Sequence, residues 1–220
     1  MASSGVRSAG KNLMKLKFIN KGVIDYRDCL NEMLSLIKTS PEGHEIWYLE
    51  HPSVFTVGIS EKEIKEDPNS DPPIYKTDRG GKITYHGIGQ IVFYFMLNLK
   101  QTPFKPSELT KKILASTSVA IEDLGLKNNI SESDPGLYVN GEKLASIGMR
   151  IKSNYSYHGL SLNHDVNLKE FNSINPCGLD VKACNLSKYI DIEQSRLVSV
   201  LKETYRNTVS YTHLRAHETR

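Results

Sequence analysis

Residues 136–151 read GLYVNGEKLASIGMRI, and a tight turn lies within them. The Asn140-Gly141 pair is the dipeptide most typical of a two-residue β-hairpin turn. Strand-forming residues flank the pair, and residues 157–163 add another strand-like run, YHGLSLN. This stretch therefore predicts a hairpin followed by a further strand, with Lys143 just after the turn.

The flanking segments add helices and more strands. Apolar residues recur at three- and four-residue spacing from Leu30 to Ile37, which predicts an amphipathic helix over residues 25–38. Aromatic and β-branched residues predict paired strands at 46–49 and 54–57, and a near-continuous apolar run predicts a strand buried on both faces at 91–99. The remaining expectations are a surface loop at 61–73, a helix over 106–124 ended by Gly125, and a last helix at 192–208.

These elements indicate one α+β (mixed α/β) domain over residues 12–209, with helices packed on a mixed sheet. Residues 1–11 and 210–220 are expected to be flexible or non-native tails. The chain of 220 residues is 39% hydrophobic and carries a formal net charge of +3. Its basic residues form no compact cluster, and no apolar run is long enough for a membrane helix. We therefore expect no nucleic-acid or membrane partner, and a soluble, cytoplasmic protein.

A glycine-rich segment, RGGKITYHGIGQ at residues 79–90, has four glycines in twelve positions. Glycines let the backbone approach a ligand closely and leave amide groups free to donate hydrogen bonds. A single Gly-Gly pair would most simply be a turn, but this density favours a binding site. The spacing matches neither of the nucleotide-phosphate patterns GxxxxGK[ST] and GxGxxG. The histidines lack HxH or HExxH spacing, so we expect no metal.

Cys177 stands between Pro176 and Gly178, a setting that can present a thiol rather than bury it. Cys29 and Cys184 fit the commoner pattern of small core residues. A nucleophilic thiol benefits from a nearby cation or base, and His86, His158 and Lys143 all remain candidates from spacing alone. Taken by itself, Lys143 would be a solvated surface lysine.

Four motifs together resemble the lipoyl(octanoyl) transferase family. RGGKITYHGIGQ, GLYVNGEKLASIGMRI, YHGLSLN and NPCG occur in the family's order and approximate spacing, and the similarity covers about residues 45–186, starting with HPSVFTVG. The resemblance implies the biotin/lipoate protein ligase-like fold. It also implies that Cys177 is the acyl-thioester nucleophile. Lys143 is implied to be its partner, which lowers the pKa of the cysteine and takes part in proton transfer.

The resemblance further implies an acyl-binding pocket built from three segments. Its implied residues are Arg79, Gly80, Gly81, Lys82, Ile83, Thr84, Tyr85, His86, Ser146, Ile147, Gly148, Gly159, Leu160 and Ser161. The chain departs from the family at Ile88, where proline is usual. We expect a less rigid loop there, because both flanking glycines are kept.

The implied reaction moves an octanoyl group from octanoyl-acyl carrier protein to a lysine of a lipoyl-domain protein, through an acyl-cysteine thioester. The expected acceptors are the lipoyl domains of 2-oxoacid dehydrogenases and the glycine cleavage H protein. No cofactor is expected beyond the phosphopantetheine that the carrier brings, and a monomer is expected. Two alternatives stay open: an ATP-dependent lipoate or biotin protein ligase, and a noncatalytic carrier-binding domain.

Overall fold

The computed structural model describes residues 15–173 and 181–210, in which ten strands form two sheets. The strands are β1 (Leu16–Val23), β2 (His44–Glu50), β3 (Val54–Val57), β4 (Ile74–Lys76), β5 (Ile83–His86), β6 (Gln90–Met96), β7 (Asn129–Ser131), β8 (Gly136–Val139), β9 (Glu142–Lys152) and β10 (Tyr155–Asn163). The α-helices are α1 (Tyr26–Lys38), α2 (Leu109–Asp123), α3 (Leu168–Ser173) and α4 (Gln194–Ser210).

The larger sheet is mixed, in the order β1-β2-β6-β10-β9-β8-β7. Only its β1–β2 pair is parallel; the other pairs are antiparallel. Helix α1 packs on one face, while α2 and α4 pack on the other. Strand β6 shows why both faces are apolar, since Phe93 and Phe95 join the core under α2 and α4 and Tyr94 joins the core under α1. The predicted mixed sheet with packed helices, and its doubly buried strand, are confirmed.

Local signals account for the ends of several elements. Asp25 caps α1 by accepting hydrogen bonds from the amides of Arg27 and Asp28. The hairpin between β8 and β9 turns through Asn140 and Gly141, at φ +52° and +83°, which is the left-handed backbone that this dipeptide tolerates. The predicted helices and the predicted hairpin are therefore present at the expected places.

One predicted pairing is wrong. Strand β2 lies between β1 and β6, whereas β3 lies in a separate three-stranded sheet of order β4-β3-β5. Between β2 and β3 the chain passes through the buried His51, whose ring bonds to the Ile24 carbonyl and the Tyr94 hydroxyl. Both strands are short and rich in aromatic and β-branched residues, so their local sequence does not specify which neighbour each one pairs with.

Strand β5 was not predicted and has consequences for the site. It lies inside the glycine-rich segment, pairs antiparallel with β3 and is buried along its whole length. The smaller sheet thus places the glycine-rich segment against β9 of the larger one, where the Gly80 amide donates to the Met149 carbonyl. Within the described residues, no helix is long and apolar enough to cross a membrane.

Candidate active site

A cavity of about 240 Å³ lies between the glycine-rich segment and strands β9 and β10. The loop sits directly on β9, because the Gly80 amide donates to the Met149 carbonyl at 3.2 Å. Gly148 makes this approach possible, since a Cβ there would lie 2.7 Å from the Gly80 carbonyl oxygen. The sequence-implied residues that line the cavity are Arg79, Gly80, Gly81, Lys82, Ile83, Thr84, His86, Lys143, Ser146, Ile147, Gly148, Gly159, Leu160 and Ser161.

Tyr85 is the implied pocket residue that lies elsewhere. Its ring packs against Phe55 and Phe171 in the core of the smaller sheet, with centroid separations of 5.4 and 6.2 Å. Side chains alternate along a strand, so with Thr84 and His86 facing the cavity, Tyr85 points to the opposite side.

Lys143 is buried, contrary to what its local sequence suggests. Its ammonium nitrogen lies 2.7 Å from Oδ2 of Asp134, and both side chains are almost completely enclosed. The Tyr138 hydroxyl donates to the same carboxylate oxygen at 2.6 Å. A buried lysine needs such a partner, because an isolated charge away from water is costly. The cavity therefore contains a cation held by an anion.

The main chain of Lys143 is joined to the segment that follows Cys177. The Lys143 amide donates to the Lys182 carbonyl at 2.8 Å, and the Cys184 amide donates to the Lys143 carbonyl at 3.0 Å. Cys177 itself, the predicted nucleophile, lies outside the described residues. Its pairing with Lys143 therefore stays a prediction.

The two described cysteines have the character of core residues. Burial raises the pKa of the Cys29 thiol to about 12, and burial likewise raises that of Cys184 to about 11. Neither thiol forms an appreciable thiolate at neutral pH, and the thiolate is the nucleophilic form.

The histidines of the site are buried and hydrogen-bonded. His86 is buried between Gln90 and Thr56, and this burial holds its pKa well below the ordinary value. His158, at φ +59°, donates from Nε2 to Asp78 at 2.9 Å; burial lowers its pKa, and its hydrogen bond lowers the pKa of Asp78 to about 2. Among the residues described, no group of three or more His, Cys, Asp or Glu side chains could hold a metal ion.

Comparison with known proteins decides the family. Residues 25–206 match the family model of the lipoyl protein ligase A/B catalytic domain. The octanoyltransferase of Chromobacterium violaceum is 45% identical over 159 residues, 71% of this chain and 77% of that protein. The octanoyltransferase of Nitrosomonas eutropha is 35% identical over 196 residues, 88% of this chain and 87% of that protein. The chain belongs to the octanoyltransferase family.

Solved structures show the fold of this octanoyltransferase-family chain. A lipoate-protein ligase A bound with ATP superposes with a TM-score of 0.73 at 11% identity, covering 89% of this chain and 85% of that one. An archaeal bi-partite lipoate protein ligase from Thermoplasma acidophilum gives 0.70 at 10% identity, covering 89% and 84%. The predicted ligase-like fold is confirmed.

Two acidic residues of this octanoyltransferase-family site escaped sequence reasoning. Asp134 holds Lys143, and Asp78 accepts hydrogen bonds from His158 and from the Tyr157 hydroxyl. Asp134 precedes a Pro-Gly pair and Asp78 precedes Arg79, so each had only the local signature of a turn residue. Asp134 lies 9 residues from Lys143 and Asp78 lies 80 residues from His158, and no local pattern reveals either contact.

Proposed function

We propose that this chain transfers an octanoyl group from octanoyl-acyl carrier protein to a lysine of lipoyl-domain proteins, through a thioester on Cys177. The observation that carries the proposal is the position of Lys143. In a chain of the octanoyltransferase family, this buried, ion-paired lysine shares one cavity with three glycine-containing segments. The acyl chain would occupy that cavity, beside the apolar side chains of Ile147 and Leu160.

The first step exchanges one thioester for another. The Cys177 thiolate attacks the octanoyl carbonyl carbon, a new carbon–sulfur bond forms, and the bond to the carrier's phosphopantetheine sulfur breaks. The Lys143 ammonium gives its proton to the departing thiolate and becomes an amine. Since a thioester replaces a thioester, the step is nearly isoenergetic and needs no ATP.

The second step forms the amide. The amine of the acceptor lysine attacks the Cys177 thioester, and the Lys143 amine takes the proton that the attacking nitrogen loses. The carbon–sulfur bond breaks and Cys177 leaves as a thiolate. The thiolate and the Lys143 ammonium are thereby restored, so the cycle closes without a further co-reactant.

Asp134 fixes the position of the Lys143 side chain. Its carboxylate lies 2.7 Å from the lysine ammonium nitrogen and sets the direction in which the lysine side chain points. Asp134 is thus a positioning residue, held in turn by Tyr138.

The proposed acceptors are the lipoyl domains of 2-oxoacid dehydrogenases and the glycine cleavage H protein, and no resident cofactor is proposed. The Thermoplasma ligase with the same fold was solved as part of a system with its E2 lipoyl domain. A monomeric, cytoplasmic enzyme remains a prediction.

Intact-mass measurement tests the proposal. Incubation with octanoyl-acyl carrier protein should add one octanoyl mass to the protein, and peptide mapping should place it on Cys177. Cys177→Ala should fold normally, lose the adduct and lose transfer to an apo lipoyl domain. Cys184→Ala is the matched control, because this thiol is buried beside Lys143 and should keep the adduct. Substantial transfer by folded Cys177→Ala would refute the mechanism.

The same protein distinguishes the ligase alternative. A ligase activates a free acid as an adenylate and needs no thiol, so it would attach free octanoate or lipoate with ATP and survive Cys177→Ala. We expect no ATP-dependent attachment. The fold similarity to ligases does not favour that reading, because the closely similar sequences are octanoyltransferases.

A further inference from the structure

Five polar side chains form a continuous buried hydrogen-bonded chain, of which two members line the cavity and three lie behind it. In order of contact they are Arg79, Thr56, His86, Gln90 and Asn163, and each is at least nine-tenths buried. Burying polar groups is costly unless their hydrogen bonds are satisfied. A satisfied chain of this length therefore specifies a single arrangement of the elements that it joins.

The donor and the acceptor of each hydrogen bond can be assigned by starting from Asn163, the member of the chain nearest Lys143. The Asn163 amide nitrogen faces two main-chain carbonyls, those of Lys143 at 3.4 Å and Cys184 at 3.2 Å. Carbonyls only accept, so Asn163 must donate to both and present its own oxygen to Gln90. The Gln90 amide nitrogen donates to that oxygen at 2.9 Å.

The same reasoning assigns the donor and acceptor nitrogens of His86. With its nitrogen committed to Asn163, Gln90 presents its oxygen to Nδ1 of His86 at 2.7 Å, so Nδ1 carries the hydrogen. In a neutral imidazole Nε2 then has none, and it accepts from the Thr56 hydroxyl at 3.4 Å. The Thr56 oxygen accepts in turn from the Arg79 guanidinium, at 2.9 and 3.1 Å.

We propose that Gln90 and Asn163 are positioning residues for acyl transfer, which hold the main chain of Lys143 through this one-way hydrogen-bond chain. The inference rests on the proposed function of Lys143. Neither residue lines the cavity, so they act only through their neighbours. Both ring nitrogens of His86 are hydrogen-bonded to other members of the chain. His86 therefore helps to hold its neighbours in place and does not act as a base.

The geometry explains why the Lys143 main chain needs this support. Its carbonyl is held by Asn163 and by the Cys184 amide, and its amide is held by the Lys182 carbonyl. Those contacts fix the point from which the lysine side chain reaches Asp134. A displacement of about 1 Å at a reacting group can cost on the order of a hundredfold in rate.

Asn163→Asp and Gln90→Glu test the proposal, because each keeps the side-chain shape and replaces a donating nitrogen by an accepting oxygen. In Asn163→Asp an oxygen faces the two carbonyls, and in Gln90→Glu an oxygen faces the Asn163 oxygen. We expect kcat for octanoyl transfer to fall about 10- to 100-fold, with KM for the octanoyl carrier changed less than about threefold.

Thr117→Val is the matched control for lost stability. The Thr117 hydroxyl is also buried, donates to the Ile113 carbonyl at 2.7 Å and contacts the Tyr205 hydroxyl, between helices α2 and α4. This variant should lose comparable thermal stability while keeping kcat. Folded Asn163→Asp and Gln90→Glu enzymes that also keep wild-type kcat would overturn the proposal.

A spectroscopic measurement on the wild-type protein keeps the proposal testable if the variants do not fold. Nitrogen NMR of labelled histidine should show His86 as the neutral Nδ1–H tautomer from pH 5 to 8; the Nε2–H tautomer would overturn the assigned direction. The result is independent of catalysis. A wild-type protein with this tautomer but no octanoyl transfer would contradict the proposed function. The assigned directions of the hydrogen bonds would still be supported.

Discussion

Gly136→Ala should displace Lys143 and inactivate the enzyme while leaving the protein folded. A Cβ at this position would lie 2.5 Å from the Ala145 carbonyl oxygen and 2.8 Å from Cε of Lys143. Ordinary van der Waals contact begins near 3.4 Å, so both neighbours must move. The Ala145 carbonyl belongs to a paired strand, and Lys143 can move only by changing its 2.7 Å contact with Asp134.

The size of the effect follows from these overlaps. Overpacking of one methyl group costs roughly 1–3 kcal/mol. For a domain of this length, about 2 kcal/mol lowers Tm by about 4–8 °C. A displacement of the lysine by about 1 Å should reduce octanoyl transfer on the order of a hundredfold. Transfer to an apo lipoyl domain is followed by mass spectrometry, and Tm is measured by circular dichroism.

Gly125→Ala is the control that distinguishes a loss of stability from a displacement of Lys143. Gly125 ends α2 at φ +93° with nothing within 4 Å of a Cβ, so alanine there costs roughly 1–2 kcal/mol of backbone strain and no overlap. This variant should lose similar stability and keep wild-type transfer. Full transfer by Gly136→Ala, at any Tm, would refute the argument that this glycine makes room for Lys143.

Two further predictions concern charge. Asp134→Asn keeps the side-chain shape but removes the anion that holds Lys143; it should lower kcat at least about tenfold, whereas Tyr138→Phe, which keeps the anion, should lower it less. Equal kcat values for these two variants would argue against the ion pair. His51 gives a pH dependence of stability, because burial lowers its pKa from 6.5 to about 4. The unfolded chain therefore takes up the proton first as pH falls, so stability is fully present above about pH 6.5 and declines toward pH 4, by about 3 kcal/mol in all. Urea unfolding at pH 7 and pH 4.5 should show a smaller difference for His51→Gln than for the wild type; an undiminished difference would contradict this assignment.

Ile88 shows how far the family pattern applies to this chain. The residue replaces the usual proline and is more than half exposed, between Gly87 and Gly89. The neighbouring Gly89 amide donates to Glu50 at 2.7 Å, so the loop is anchored without the proline ring. The main-chain hydrogen bonds of this loop therefore explain how isoleucine is accommodated here.

The elements that could be predicted from sequence are those whose cause is local. The Asn140-Gly141 turn follows from the backbone that these two residues tolerate, and α1 follows from an apolar stripe and the Asp25 cap. The order and spacing of four motifs was enough to identify the family. Those motifs also named most of the residues that line the cavity, because a resemblance carries information about the fold that no single stretch contains.

Other features depend on contacts between distant parts of the chain, and only the tertiary structure decided them. The separation of β2 and β3 into two sheets is one, since the local sequence of a short strand does not specify its partner. The burial of Lys143 is another: its sequence after a turn predicts a solvated side chain, yet the fold encloses it with Asp134. The chain from Arg79 to Asn163 is the third, because hydrogen-bond direction is determined by which donors and acceptors the fold brings together. The sequence alone was sufficient to propose the lysine, and the fold supplied the groups that hold it in place.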